Sequence, residues 1–284
     1  MTTLTPPPTD TATPPPAAPT PPPRRTAPRV IAIATVALGG ALLVGAVTSG
    51  VARTVSASAT VSETQSVAVD GVTELDVDAA ASSLTILFAD VDEATLEIDE
   101  GRAGWRIERD GDELQVESPD SGWFGFGFWG GGNGRATLTL PESLEGADAS
   151  LSLSAGSLRA SGSFAELEVD VSAGDLTLEG DARDLSVEVG AGSADLRVAN
   201  VSTAELSLSA GDITAELTGD VPREIGIDVG AGSLDLILPR GDYDVRSDVD
   251  AGDLDNRLER RSGGATGVID VRISAGDVTL TPGS

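Results

Sequence analysis

The chain has 284 residues, no Cys, no His and a formal net charge of −28. Its 18 basic residues are all Arg. Those absences exclude disulfides, thiol redox chemistry, His–metal sites, His-based triads, Schiff-base lysines and a Lys-dependent phosphate loop. The acid excess repels a nucleic-acid backbone, so no nucleic-acid partner is expected. Acids on outward strand positions keep a β-protein soluble; a sharper reading of the same charge is weak divalent-cation binding on an acidic surface.

Residues 1–29 are dominated by Pro, Thr and Ala, as in Thr5-Pro6-Pro7-Pro8 and Thr20-Pro21-Pro22-Pro23. Pro lacks an amide donor and fixes φ, so this tail reads as disordered with polyproline II character. Residues 30–51 form an uncharged run, VIAIATVALGGALLVGAVTSGV. A helix of this length spans roughly 33 Å, the thickness of a bilayer core. Arg24, Arg25 and Arg29 precede it and only Arg53 closely follows, which places the tail in the cytoplasm and the rest outside. A cleaved signal peptide is the competing reading; the long polar lead and the long apolar run favour a retained single-pass anchor. Ala37, Ala41, Gly45 and Ser49 make a small-residue stripe on which two such helices could pack. Residues 52–65 are small and polar and read as a linker.

Residues 66–284 carry an internal repeat. Its kernel is apolar-x-apolar-x-Ala-Gly-(Asp or Ser), followed by a second alternating run. Copies centre on Gly156, Gly174, Gly192, Gly211, Gly232, Gly252 and Gly276, spaced by 18, 18, 19, 21, 20 and 24 residues. A weaker copy has Ser82 in the Gly place, among Val77, Ala79, Ala81, Leu84, Ile86 and Phe88. In Leu167-Glu168-Val169-Asp170-Val171 apolar residues alternate with acids, which puts Leu167, Val169 and Val171 on an inner face. The register is read as continuing inward through Ala173, with Gly174 bending the chain and Asp175 bonding turn amides. The same register recurs at Leu185 to Ala191, Ile225 to Ala231 and Ile269 to Ala275. One such unit cannot cover its own apolar face, whereas stacked copies can. The predicted fold class is therefore all-β, a β-solenoid of about 18–21-residue repeats, preceded by the disordered tail and one transmembrane helix. An antiparallel meander or sandwich is the runner-up. The copy at Gly252 is degenerate, with Ser247 and Asn256 at inward positions, and an extra loop is expected at Arg260-Arg261-Ser262-Gly263-Gly264.

A hairpin and aromatic insertion is expected at about 89–140. Alternation persists at Leu96 to Ile98, Trp105 to Ile107 and Leu114 to Val116, with an Asp-Gly hairpin signal at Arg109-Asp110-Gly111-Asp112. Trp123, Phe124, Phe126, Phe128 and Trp129 then supply five of the nine aromatics in the chain. Either these rings cap the open end of the solenoid, or they form an exposed patch for the membrane interface, a glycan or a protein.

No catalytic, cofactor-binding or metal-binding residue stands out. Without His, Lys or Cys a nucleophile–base pair would need carboxylates or Tyr243. Asp175, Asp212, Asp253 and Asp277 recur at one phase of the repeat, which suits turn structure better than a unique site. The Ca²⁺-binding nonapeptide pattern is absent, and Gly125-x-Gly127 is not followed by a helix signal.

The turns Ser172-Ala173-Gly174-Asp175, Ser209-Ala210-Gly211-Asp212 and Ser274-Ala275-Gly276-Asp277 resemble those of a bacterial β-solenoid family labelled "putative adhesin", a domain of unknown function. An aromatic, Gly-rich segment before Leu140-Pro141 adds to the resemblance, which covers roughly residues 65–284. It implies a β-solenoid near membrane anchors and supplies no catalytic residues. The expectation is a non-enzymatic cell-envelope protein anchored by one helix, with a protein or glycan partner and self-association through the anchor or the solenoid ends. The alternative is an envelope-stress scaffold whose Pro-rich tail meets a cytoplasmic partner.

Overall fold

A computed structural model describes residues 52–56, 62–99, 105–118, 134–258 and 267–283. The chain divides into Met1–Ala46 and Val47–Ser284, and every described residue lies in the second unit. The tail at 1–29 and the anchor at 30–51 fall outside the described residues. Among the described residues no helix is long and apolar enough to cross a membrane.

The described chain is nearly all strand: β1 (Ala52–Ser56), β2 (Ser62–Ala68), β3 (Glu74–Ala89), β4 (Glu93–Asp99), β5 (Arg106–Asp110), β6 (Glu113–Glu117), β7 (Arg135–Pro141), β8 (Ala147–Ala199), β9 (Thr203–Thr218), β10 (Glu224–Leu238), β11 (Tyr243–Val249), β12 (Gly252–Asn256) and β13 (Gly267–Pro282). β8 holds three successive copies of the repeat, because strand pairing continues through its corners.

Equivalent residues of neighbouring copies pair in parallel and in register, as solenoid stacking requires. Val77 faces Leu151, Val187 faces Leu206, Leu206 faces Ile227 and Ile227 faces Val271. All are buried, with Val169 filling the same column within β8. Each such side chain contributes about 1.5–3 kcal/mol on burial. A second column, Leu84, Leu158, Leu176, Ile213, Leu234 and Val278, is buried on the run after the Gly. Inward residues of both runs belong to one continuous core.

The corner between the two runs departs from the sequence reading. Ala173, Ala191, Ala231 and Ala275 are exposed, not inward. Alternation stops at the third inward residue, such as Val171, and resumes at Leu176. Between them the chain turns around the glycine, and it is the glycine that packs into the stack. A Cβ on Gly174 would lie 2.2 Å from the Gly156 carbonyl oxygen, and one on Gly192 would lie 1.9 Å from that of Gly174. Both have positive φ, +136° and +138°. Only a residue without Cβ satisfies both conditions.

The order of copies along the stack is a second departure. The sheet runs β8, β9, β10, β13 and then β11 with β12. The last strand of the chain thus inserts between β10 and the copy that precedes it in sequence. Tyr243 to Val249 pair with Gly267 to Ile273, and Gly252 to Asn256 pair with Gly276 to Leu280. The copy with Ser247 and Asn256 is therefore the end rung, and both residues are exposed there. This explains its degeneracy: its inward positions face no further core. The loop expected at 260–264 lies outside the described residues.

The amino-terminal end shows the same device. β3 lies between β8 and a rung made of β6 and β7, which pair with its first and second halves. The segment read as an insertion at 89–140 is thus in part the end rung itself. Its remaining strands cover that rung. β5 pairs β6 antiparallel across a two-residue turn in which Gly111 has φ +68°. β4 pairs β7, β2 pairs β4 and β1 pairs β2, all antiparallel. Residues 52–65, read as a linker, contain β1 and the start of β2. Gln65 is buried yet satisfied, because its amide donates to the Trp105 carbonyl at 2.8 Å. The antiparallel runner-up thus describes the cap, while the body is parallel.

The glycine column is testable. Gly192→Ala combines positive-φ strain with a clash against immobile backbone and is expected to cost about 3 kcal/mol or more. Gly111→Ala, with nothing within 4 Å of the new Cβ, is expected to cost about 1 kcal/mol; denaturant melts of both variants check the ranking. A chain ending at Leu258 removes β13 from between β10 and β11. Native-state hydrogen exchange should then show lost protection in β10 and β11 while β3 and β8 keep theirs.

Candidate binding surfaces of the solenoid

The outward face of the second run is a checkerboard of acids and hydroxyls. Six of the seven copies read Gly174-Asp175-Leu176-Thr177, Gly192-Ser193-Ala194-Asp195, Gly211-Asp212-Ile213-Thr214, Gly232-Ser233-Leu234-Asp235, Gly276-Asp277-Val278-Thr279 and Gly252-Asp253-Leu254-Asp255, while the copy at Gly156 has Ser157 and Arg159. Taken in spatial order, Asp and Ser alternate in the first outward column up to Asp277, which faces Asp253 of the end rung, and Thr and Asp alternate in the second. The register confirms this: Ser193 faces Asp212, Asp195 faces Thr214, Ser233 faces Asp277 and Asp235 faces Thr279. Rungs lie about 4.8 Å apart, where like charges directly opposite destabilise. Placing a hydroxyl between two acids removes that repulsion and supplies a donor. Ser193 donates to Asp175 at 2.6 Å, and Ser233 donates to Asp212. These Asp side chains accept from the neighbouring rung's Ser; among the described residues a corner amide, the donor read from the sequence, bonds this column at the end rung, where Asp253 N–H donates to Asp277 at 3.2 Å. In the third column the Arg197 guanidinium donates to Glu179 at 2.8 Å.

The first run is different. Glu113, Glu74 and Asp148 stack directly on one another, and Glu117 faces Asp78. Burial, then Glu113, Asp78, Glu74 and Glu117, push the Asp76 carboxyl above the usual range. This face has few basic partners; Arg272 and Arg246 sit toward the carboxy-terminal end. Among the described residues no group of three or more acids is placed to hold a metal ion.

Tyr243 is buried, and its hydroxyl donates to the Pro239 carbonyl at 2.8 Å. Burial pushes its phenol up to about 12. It therefore stays protonated across physiological pH and ties the start of β11 to the Pro239 carbonyl. Asp175, Asp212, Asp253 and Asp277 occupy one column on the outer surface and do not converge.

Trp123, Phe124, Phe126, Phe128 and Trp129 lie outside the described residues. The residues that flank their segment are both tied to one corner of β3. Ser118 N–H donates to the Asp78 carbonyl at 2.9 Å, and its hydroxyl accepts from Ala80 N–H at 2.6 Å. Ser83 N–H donates to the Gly134 carbonyl at 3.1 Å. Between these contacts sits Ser82, buried in the Gly place, its hydroxyl without a partner among the described residues.

A parallel, in-register ladder of short rungs with both end rungs out of chain order defines an all-β, solenoid-like domain. The chain belongs to the family described as Toastrack DUF4097, whose model matches residues 112–281. Solved structures similar to it include a "putative adhesin" from Bacteroides fragilis, at 15% identity over 77% of this chain and 96% of that one, TM-score 0.40. Another is a "putative cell adhesion protein" from Clostridium sporogenes, at 12% identity over 79% of this chain and 100% of that one, TM-score 0.35. A third is a "putative adhesin" from Parabacteroides merdae, at 14% identity over 78% and 96% of the two chains, TM-score 0.35. No curated protein matches the sequence.

Two substitutions probe these faces. Ser193→Asp sets three acids in a row, Asp175, the new Asp and Asp212. It is expected to cost about 0.5–1 kcal/mol, with much of the loss recovered in high salt. Asp76→Asn removes a carboxyl whose folded value is raised. The charged form is the one that folding disfavours, so the variant should be more stable than the parent at neutral pH. That advantage should vanish as pH falls and Asp76 takes up its proton; chemical melts at pH 3 and pH 7 compare the two.

Proposed function

We propose that the chain is a non-enzymatic, single-pass membrane protein of the cell envelope, with its solenoid displayed outside as a rigid scaffold for binding. The supporting observation is how its chemical groups are distributed. Acids and hydroxyls recur once per rung at fixed phase over the length of the stack, which suits an extended contact surface better than one reacting centre. The uncharged run at 30–51, led by Arg24, Arg25 and Arg29, supports anchoring with the tail inside. Trp123, Phe124, Phe126, Phe128 and Trp129 are proposed to contact the membrane interface, a glycan or an envelope protein.

The Pro-rich tail favours a second reading, an envelope-stress scaffold in which residues 1–29 meet a cytoplasmic partner. Fractionation with protease treatment of intact cells tests the main proposal. A carboxy-terminal epitope should sediment with membranes, resist carbonate extraction and be digested from outside. Release of a chain shortened at the end of the apolar run would replace the anchor with a cleaved leader. An epitope protected until the cells are lysed would overturn display.

A further inference from the structure

The two ends of the stack are finished differently. At the amino-terminal end, β5 covers β6 and β4 covers β7. At the other end β11 and β12 pair only with β13, and no described strand lies beyond them. Backbone polarity shows which groups are left. Asp250 N–H donates to the Ile273 carbonyl, and Arg257 N–H donates to that of Leu280, both at 2.9 Å. Amides alternate sides along a strand, so Val245, Ser247, Val249, Leu254 and Asn256 present theirs to the open side.

The core also stops short here. Val249 is 37% exposed, although its stacked equivalents Val229 and Ile273 are 0% and 2% exposed. Leu254 is half-buried where Leu234 and Val278 are buried. Outward of this backbone lie Asp244, Asp248, Asp250, Asp253 and Asp255, all exposed. The two Arg residues of the rung are engaged within it: Arg246 with Asp244 at 2.9 Å, and Arg257 with Asp255. The edge therefore offers unpaired amides, two uncovered aliphatic side chains and an acidic fringe.

Charge selects the occupant. A second copy joined edge to edge would set this acidic fringe against itself. Head-to-tail stacking would meet the antiparallel strands of the other cap. We propose that the β11–β12 edge is a strand-addition site for an extended basic segment of a partner protein, in which Arg or Lys alternates with small aliphatic residues. The added backbone takes up the free amides, the aliphatic side chains cover Val249 and Leu254, and the cations lie along Asp248, Asp250, Asp253 and Asp255. This goes beyond the proposed display role and holds whichever side of the membrane the domain occupies.

The test uses the full-length protein in detergent micelles and fluorescence anisotropy of three short labelled peptides. One alternates Arg with Val, one is the same sequence N-methylated at every second amide, and one has Glu in place of Arg. The Arg–Val peptide should bind saturably at one per chain, and the other two about tenfold more weakly or worse. Ser247→Pro removes an open-side amide while leaving the β13 ladder intact, so it should weaken binding about tenfold at an unchanged melting temperature. Should Ser247→Pro also lower the melting temperature, the paired changes Asp248→Arg and Asp250→Arg, both at exposed side chains, take its place and should abolish binding. Equal binding of the N-methylated peptide would assign the attraction to bulk acidity and overturn strand addition. So would a folded edge variant that binds like the parent, or no binding of the Arg–Val peptide at all.

Discussion

Along one corner of this domain, backbone sits on backbone with no side chain between. At Gly156, Gly174, Gly192, Gly211, Gly232, Gly252 and Gly276 the place a Cβ would take lies 1.8 to 2.4 Å from the carbonyl oxygen of the preceding rung. The rest of the rung follows from that contact. Because the corner cannot widen, the runs on either side stay in parallel register, and Leu, Val and Ile fall into columns instead of drifting by one residue and exposing their faces. The Ala beside each glycine is on the outside of the bend, so its small size does not narrow the interior.

The same register that aligns aliphatic side chains also aligns charges, and the two outer faces handle this differently. On one, Ser193 and Ser233 separate acids of the neighbouring rungs, and Thr214 and Thr279 do the same in the next column. On the other, Glu113, Glu74 and Asp148 remain stacked, and burial, with smaller contributions from Glu113, Asp78, Glu74 and Glu117, raises the Asp76 carboxyl. On this first-run face compensation comes from scattered Arg residues, as in Arg183–Asp184 and Arg106–Glu117, instead of from hydroxyls set between acids.

Much of this was legible in the residues themselves. Alternation at Leu167, Val169 and Val171 and the regular Ala-Gly-(Asp or Ser) kernel gave the strands, the stack and most of the core. A period of two predicts inward Ala residues and fails at the corner, because the chain turns outward there. Rung order does not follow from chain order, because at both ends neighbours in sequence are not neighbours in space. A cue was nevertheless present. Asp255 against Asp235 would have set like charges together, whereas Thr279 against Asp235 does not, so the Asp–Thr alternation already pointed to β13 as the neighbour of β10. Strands β1 and β2 were hidden by composition, since small polar residues pair on an edge as readily as they form a linker. For Trp123 to Trp129 the structure fixes the flanking residues and thereby the corner of β3 from which the aromatic segment departs.

Each end rung is made by chain that runs outward and then doubles back inside it. A copy appended after Pro282 could not stack on β13, nor one placed before Glu74 on β3, because both strands are already paired on both sides. A gene of this kind can lengthen its product by duplication in the middle, between β8 and β10, where one rung more or fewer leaves both closures intact. Lineages that vary the reach of the domain should therefore differ in internal repeat number while keeping the two terminal closures.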